Sequence, residues 1–219
     1  MPPKIRELAN KLLKNPESIS LAISKPAEGI TQSAYMCHDS QKVNLVREIL
    51  RAKGRDLSHV LIFASSIKSV REIKTTLNKA GMKASEMHSG LDQDQREQTI
   101  RDFKSKKIKI LVATDILSRG IDIKGIEIVI NYEVPHDEED YVHRIGRTAR
   151  ADRTGEAITF INPKQVKNFK DIEKLIEKEV PKLELPKGFS KAPEYKILSK
   201  NKKNKKWRNF KKQKPTSPK

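Results

Sequence analysis

Val60-Leu61-Ile62-Phe63-Ala64-Ser65 is a continuous apolar run of strand length, and runs of the same kind return at 108–114 (IKILVAT), 126–132 (IEIVINY) and 156–162 (EAITFIN). A strand with one wet face alternates apolar and polar residues. An uninterrupted run suits a strand covered on both sides, as in a parallel sheet. Stretches of helical length separate the runs: 67–79 followed by Gly81, 92–105, about 137–145, and 164–178. A short strand is expected within MKASEMH (82–88) and another at TQSAYMC (31–37). After the latter, Asp39 is expected to cap a helix whose apolar face is Val43, Leu45, Val46, Ile49 and Leu50, closed at Gly54. Strands alternating with helices predict βαβ units, hence an α/β fold with a parallel β-sheet flanked by helices on both faces. Ligands in such sheets gather at the carboxyl ends of the strands, so the loops beginning at Ser65, His88, Thr114 and Tyr132 are the places to look for chemistry.

Outside this body the composition changes. Ile5, Leu8, Ala9, Leu12 and Leu13 recur at helical spacing, predicting an amphipathic helix over 4–14 that Asn15-Pro16 ends. A connector bearing Ser, Pro and Gly runs on to about Gly29. Past Pro186 the apolar periodicity fades, and a disordered, Lys/Asn-rich tail is expected to the end. Of the formal charge of +18, residues 196–219 hold eleven Lys or Arg and no Asp or Glu, which leaves about +7 on the first 195 residues. A basic tail on a mildly basic body points to a polyanionic partner. Trp207 and Phe210 stand among Lys202, Lys203, Lys205, Lys206, Arg208, Lys211 and Lys212, where aromatic rings can stack on bases while the cations follow phosphates. The plain alternative is a solvated, solubilising tail.

Cys37 is the single cysteine, so the chain has no internal disulfide and no multi-cysteine metal site. No apolar run approaches the ~20 residues that span a bilayer, and residues 200–214 lack an apolar face for a membrane surface. The expectation is a cytoplasmic protein that does not use a membrane.

The segment richest in chemistry is Tyr141-Val142-His143-Arg144-Ile145-Gly146-Arg147-Thr148-Ala149-Arg150. Three arginines at spacings of three sit near a helix end, with small residues between them that let the backbone approach a bulky ligand. Guanidinium forks take phosphate oxygens bidentately and stay charged at physiological pH. Aimed at a transferring phosphoryl group, they stabilise the charge that spreads over its oxygens. By composition alone the same cluster also suits a solvated, salt-bridged surface.

The exact wording resembles the DEAD-box family of ATP-dependent RNA helicases. HRIGRTAR (143–150) is similar to the family's sixth motif, VLIFASS (60–66) to its fourth, and LVATDILSRGIDI (111–123) to its fifth. HSGLDQDQREQTIRDFK (88–104), with its Q-x-x-R element, resembles the segment after the fourth. Four motifs in family order cover roughly residues 1–185, and the wording is most like bacterial RhlE-like members. Ala149 stands where glycine is common.

The resemblance implies a RecA-like fold and assigns roles. Arg147 and Arg150 would be arginine fingers reaching the γ-phosphate of ATP held by another domain, with His143 and Arg144 coupling that site across the domain interface. Asp122, beside Gly120, would bind the ATP ribose, although by itself Asp122 could equally cap the turn that follows. Thr114, Arg119 and Gly120, with Gly90, Gln93 and Arg96, would contact the RNA backbone rather than base edges, giving affinity without sequence preference. Alone, Arg96 could equally be an exposed helix residue. Ile62 and Phe63 read as core.

The chain contains no G-x-x-x-x-G-K-[ST] and no Asp-Glu-Ala-Asp. Asp137-Glu138-Glu139-Asp140 is the nearest string, and it reads as a helix opening, where acidic residues complement the macrodipole. The phosphate cradle and the residues that hold Mg2+ are therefore expected on an N-terminal RecA-like domain, and the chain reads as the second half of such an enzyme. Residues 1–25 are then a remnant helix and linker, 26–185 the helicase C-terminal domain and 186–219 the tail. A non-catalytic RNA-binding or regulatory module with this fold, and a DNA helicase half, stay open at this level. Nothing in the sequence speaks to oligomeric state.

Overall fold

The computed structural model describes residues 7, 11–13, 29–54, 57, 59–115, 125–148 and 154–197. In chain order the elements are β1 (Ile30–Met36), α1 (Asp39–Ala52), β2 (Val60–Phe63), α2 (Ile67–Lys79), β3 (Ala84–Met87) and α3 (Gln93–Lys104). They continue with β4 (Ile110–Ala113), β5 (Ile128–Asn131), α4 (Glu138–Ile145), β6 (Gly155–Ile161), α5 (Val166–Leu175) and β7 (Lys182–Leu183). The seven strands form one sheet in the order β3-β4-β2-β5-β6-β1-β7, and every pairing is parallel. Of the helix expected over 4–14, Glu7, Lys11 and Leu12 are helical, Leu13 is a bend, and the other residues lie outside the described residues.

The expected α/β sheet is thus present, and the reason lies in the strands. All four residues of β2, β4 and β5 are buried, because helices cover both faces and leave no wet side. Successive side chains then serve opposite layers. Val60, Ile62, Ile110, Val112, Ile128 and Ile130 pack with Leu45, Val46, Ile49 and Leu50 of α1 and Val70, Ile73 and Leu77 of α2. On the other face Leu61, Phe63, Leu111, Ala113 and Val129 pack with Phe103 of α3. On that face too, α4 and α5 bring Tyr141, Ile145, Phe169 and Ile172 onto Ala157 and Ile161. Ile62 and Phe63 are core, as read from sequence.

Helix boundaries follow local chemistry, with corrections. Gly54 and Gly81 have φ of +88° and +78° and stop α1 and α2, the left-handed exit that favours glycine. Asp39 is not the cap of α1 but its first residue. His38 precedes it, with its backbone N–H donating to Gln41 Oε1 at 2.8 Å. Asp39 instead accepts from Asn162 Nδ2 at 2.9 Å and pairs with Lys42 at 2.8 Å.

The expectation that packing ends at Pro186 does not hold for residues 186–197. Phe189 joins the α1–α2 face and Tyr195 the α5 face. Gln41 Nε2 donates to the carbonyl (3.0 Å) and hydroxyl (2.8 Å) of Ser190. Tyr195 donates its hydroxyl to Glu173 at 2.7 Å, and Lys182 Nζ lies 4.4 Å from the Tyr195 ring centre. Three scattered anchors suffice to hold an irregular segment, and such spacing leaves no periodic trace in a sequence. The short β7 was missed for the same reason. The basic stretch 198–219 lies outside the described residues.

Candidate nucleotide and nucleic-acid interface

Four of the residues singled out from sequence meet at one corner of the sheet. β3 and β4 are neighbours, in register from Ala84↔Ile110 to Met87↔Ala113. At their carboxyl ends the amide of Thr114 donates to the Met87 carbonyl at 3.0 Å. Just beyond, the chain turns at His88–Leu91, where the Leu91 amide reaches the His88 carbonyl at 3.2 Å, and enters α3. Gly90 and Gln93 are exposed, and Thr114 and Arg96 half-buried. Arg96 donates Nε to the Leu91 carbonyl at 2.9 Å, which fixes the stem of the side chain and leaves its fork at the surface of this corner. Gln93 Nε2 donates to Glu97 at 2.9 Å.

The N-terminus of α3 is not an open anion cradle. Asp92 Oδ1 accepts from the Gln95 amide at 2.8 Å while Gln95 Oε1 accepts from the Asp92 amide at 3.2 Å, a reciprocal capping box. The first-turn amides are partly spent and a carboxylate sits over them. Positive charge at this corner comes from the guanidinium of Arg96.

The arginine segment occupies the end of α4. Asp137 caps that helix, accepting from the Glu139 amide at 3.0 Å, and Glu138, Glu139 and Asp140 fill its first turn. The acidic string is thus a helix opening, as its position suggested. In the last turn His143 is exposed. Arg144 is only 3% exposed, and this determines what it can do. It grips Asp115 with Nε at 2.7 Å and Nη2 at 2.8 Å, approaches Asn131 Oδ1 at 3.4 Å, and its guanidinium carbon lies 5.2 Å from the Phe63 ring centre. Arg144, expected to couple domains, is held by contacts within this one that tie the end of α4 to the chain leaving β4. Asp115 was not among the expected site residues. Its only signal was its place directly after Thr114.

Beyond Ile145 the chain passes Gly146 and Arg147 to Thr148, whose hydroxyl donates to the Ile126 carbonyl at 2.7 Å. Thr148 also bridges to Ile126 ahead of β5. These anchors set the position of Arg147, which is half-buried. Arg119, Gly120, Asp122, Ala149 and Arg150 lie outside the described residues.

The neighbouring carboxyl edge is charge-balanced. Glu133, after β5, accepts from the Ser65 amide at 3.0 Å. Burial pushes its carboxyl above the usual range, against the hydrogen bonds from Ser65 and the nearby positive charges of Lys42 and Arg144. Cys37 is buried, and burial pushes its thiol up to about 12, so it is a core residue and not a nucleophile.

Three comparisons bear on this geometry. Residues 41–152 match the family model described as the helicase conserved C-terminal domain. The chain is 34% identical over 187 residues to the DEAD-box ATP-dependent RNA helicase CshA of Geobacillus kaustophilus, covering 85% of this chain and 40% of that protein. It is 38% identical over 170 residues to the probable ATP-dependent RNA helicase ddx49 of Dictyostelium discoideum, covering 74% of this chain and 34% of that protein. Among solved structures, a DEAD box protein from Methanococcus jannaschii superposes with a TM-score of 0.65 at 36% identity, over 84% of this chain and 49% of that one. Dbp5 of S. cerevisiae bound to RNA and ADP BeF3 superposes with a TM-score of 0.72 at 27% identity, with the same coverage. The chain spans about two fifths of the length of the first curated relatives it matches.

Proposed function

The chain belongs to the helicase conserved C-terminal domain family, as the second RecA-like domain of a DEAD-box protein, and on that premise we propose that it serves an ATP-dependent RNA helicase as its C-terminal half. The observation that carries this reading is the convergence of Gly90, Gln93, Arg96 and Thr114 at the carboxyl ends of two adjacent strands. Those four residues have the chemistry for sugar–phosphate contacts: a bare backbone, an amide, a guanidinium and a hydroxyl. Backbone contacts of this kind bind RNA without reading its sequence.

The second half of the proposal concerns ATP. Arg147 and Arg150 reach the γ-phosphate of ATP held on the N-terminal RecA-like domain, and their fixed charge stabilises the transferring phosphoryl group. Asp122 accepts from the ribose hydroxyls, and Mg2+ is held by the N-terminal domain. The Arg144–Asp115 pair supports this reading, because it joins the chain that carries Thr114 to the helix that leads into Arg147. RNA seated at one end and ATP at the other would share one rigid connector. Leu12 (73% exposed) and Leu13 (56%) offer apolar surface for the N-terminal domain to cover.

Tested alone, the 219-residue chain is expected to show no RNA-stimulated ATP hydrolysis and to bind RNA weakly and with strong salt dependence, mainly through the eleven Lys and Arg of residues 196–219. Adding an N-terminal DEAD-box motor domain in trans should restore turnover, and Arg147→Ala should abolish it. Turnover by the chain alone, or full turnover with Arg147→Ala, would refute the assignment.

A further inference from the structure

His88 is fully buried, yet it lies at the mouth of the strand-end corner, one residue past β3. Its Nδ1 faces the amide of Gly90 at 3.1 Å. A backbone N–H can only donate, so Nδ1 must be the unprotonated nitrogen and the ring proton of the neutral imidazole sits on Nε2. Nε2 points at Glu86 Oε2, 3.6 Å away, and the other oxygen of Glu86 accepts from Lys74 Nζ of α2 at 3.1 Å. Neither Nε2 nor Oε2 has a closer partner, so this contact orients the ring through charge rather than through a full hydrogen bond.

Both hydrogen bonds of the turn thus come from one residue. The His88 carbonyl takes the Leu91 amide and the His88 ring takes the Gly90 amide. The ring also explains the glycine. A Cβ on Gly90 would stand 3.2 Å from Nδ1 and 3.3 Å from Cε1 of the ring. The Leu91 carbonyl, placed by this turn, in turn holds Arg96 through Nε. A chain of contacts therefore runs from Lys74 and Glu86 through the imidazole to the turn and on to the Arg96 fork.

We propose that His88, as the Nε2–H tautomer, is a positioning residue for the RNA-facing corner, setting the 88–91 turn so that Gly90 and Arg96 present to a phosphate. The inference rests on the RNA reading given above. A ring nitrogen accepting from the amide two residues ahead is the geometry that an asparagine oxygen adopts in an Asx-turn. His88→Asn should therefore keep the turn, whereas His88→Leu fills the space and offers no acceptor.

The test uses the full chain. Long-range 15N NMR of the ring should report a protonated Nε2 and a bare Nδ1, and the Gly90 amide should be protected from exchange in the wild type and in His88→Asn but not in His88→Leu. Binding to fluorescein-labelled oligouridylate, read by anisotropy, should weaken about fivefold in His88→Leu, recover in His88→Asn, and show no further loss when His88→Leu is added to Arg96→Ala. A protonated Nδ1, or equal Gly90 exchange in all three proteins, overturns the inference. So does affinity that Arg96→Ala reduces and His88→Leu does not. If the NMR results are as expected but neither variant changes affinity, the RNA reading of this corner falls and the role of His88 in setting the turn stands.

Discussion

Removing Asp115 should destabilise this domain more than removing Arg144, although both substitutions break the same bidentate pair. The side chains are 46% and 4% exposed respectively, so the two partners face different alternatives once separated. In Arg144→Met the hydrophobic replacement stays over Phe63, and the half-exposed Asp115 returns to water. The loss is about 1 kcal/mol, that of an ordinary hydrogen-bonded contact. In Asp115→Ala the guanidinium remains buried, with Asn131 Oδ1 at 3.4 Å and the Phe63 ring against it and the Glu133 carboxyl nearby. Leaving a buried charge uncompensated costs about 3–5 kcal/mol. Water entering through the space Asp115 vacates lowers this to about 2–3 kcal/mol. The double variant should lie near Arg144→Met alone, because no stranded charge is left, giving a coupling energy of about 2–3 kcal/mol. Urea unfolding of the 219-residue chain, followed by far-ultraviolet circular dichroism, measures all four corners of the cycle. With a slope of about 2 kcal/mol per molar urea, Asp115→Ala should move the midpoint down by about 1–1.5 M and Arg144→Met by about 0.5 M. Equal shifts, or a larger one for Arg144→Met, would refute the burial argument.

The C-terminal segment and the core offer further tests. A chain ending at Leu185 should be about 2–4 kcal/mol less stable in urea than one ending at Ile197, because it loses the Ser190 and Tyr195 hydrogen bonds and the packing of Phe189. Burial works against the Glu173 carboxylate, but hydrogen bonds from Lys182, Tyr195 and the Val180 amide outweigh it and hold its carboxyl below the usual range. Its stabilisation is therefore complete above the ordinary glutamate value of about 4.3 and is lost as pH falls through the lower folded value. Thermal melts across that window should fall less steeply for Glu173→Gln than for the wild type. Phe169, fully buried and edge-on to Tyr141 at 6.1 Å, should cost about 3–5 kcal/mol when truncated to alanine, read from the same urea midpoints.

The sheet itself was legible in the sequence, and for a local reason. A strand buried on both faces must be apolar at every position, so VLIF, ILVA and IVIN declare themselves without reference to anything distant. The same holds for helix ends closed by Gly54 and Gly81, for the Asp137 cap, and for the motif strings that carry the family resemblance, all of which are written in consecutive residues. Tertiary structure alone decided which groups those strings commit to one another. Arg144 was one of three arginines until folding brought Asp115 against it, 29 residues away in the chain and 2.7 Å away in space. Gln41 and Ser190 are separated by 149 residues, and nothing periodic in the segment after Pro186 announces that it packs back on α1. His88 marked a loop worth examining, but its tautomer follows from the direction of one backbone amide. Periodicity records the environment of each residue. Pairing depends on the path of the whole chain, and that is set only when strands 30 and more residues apart lie side by side.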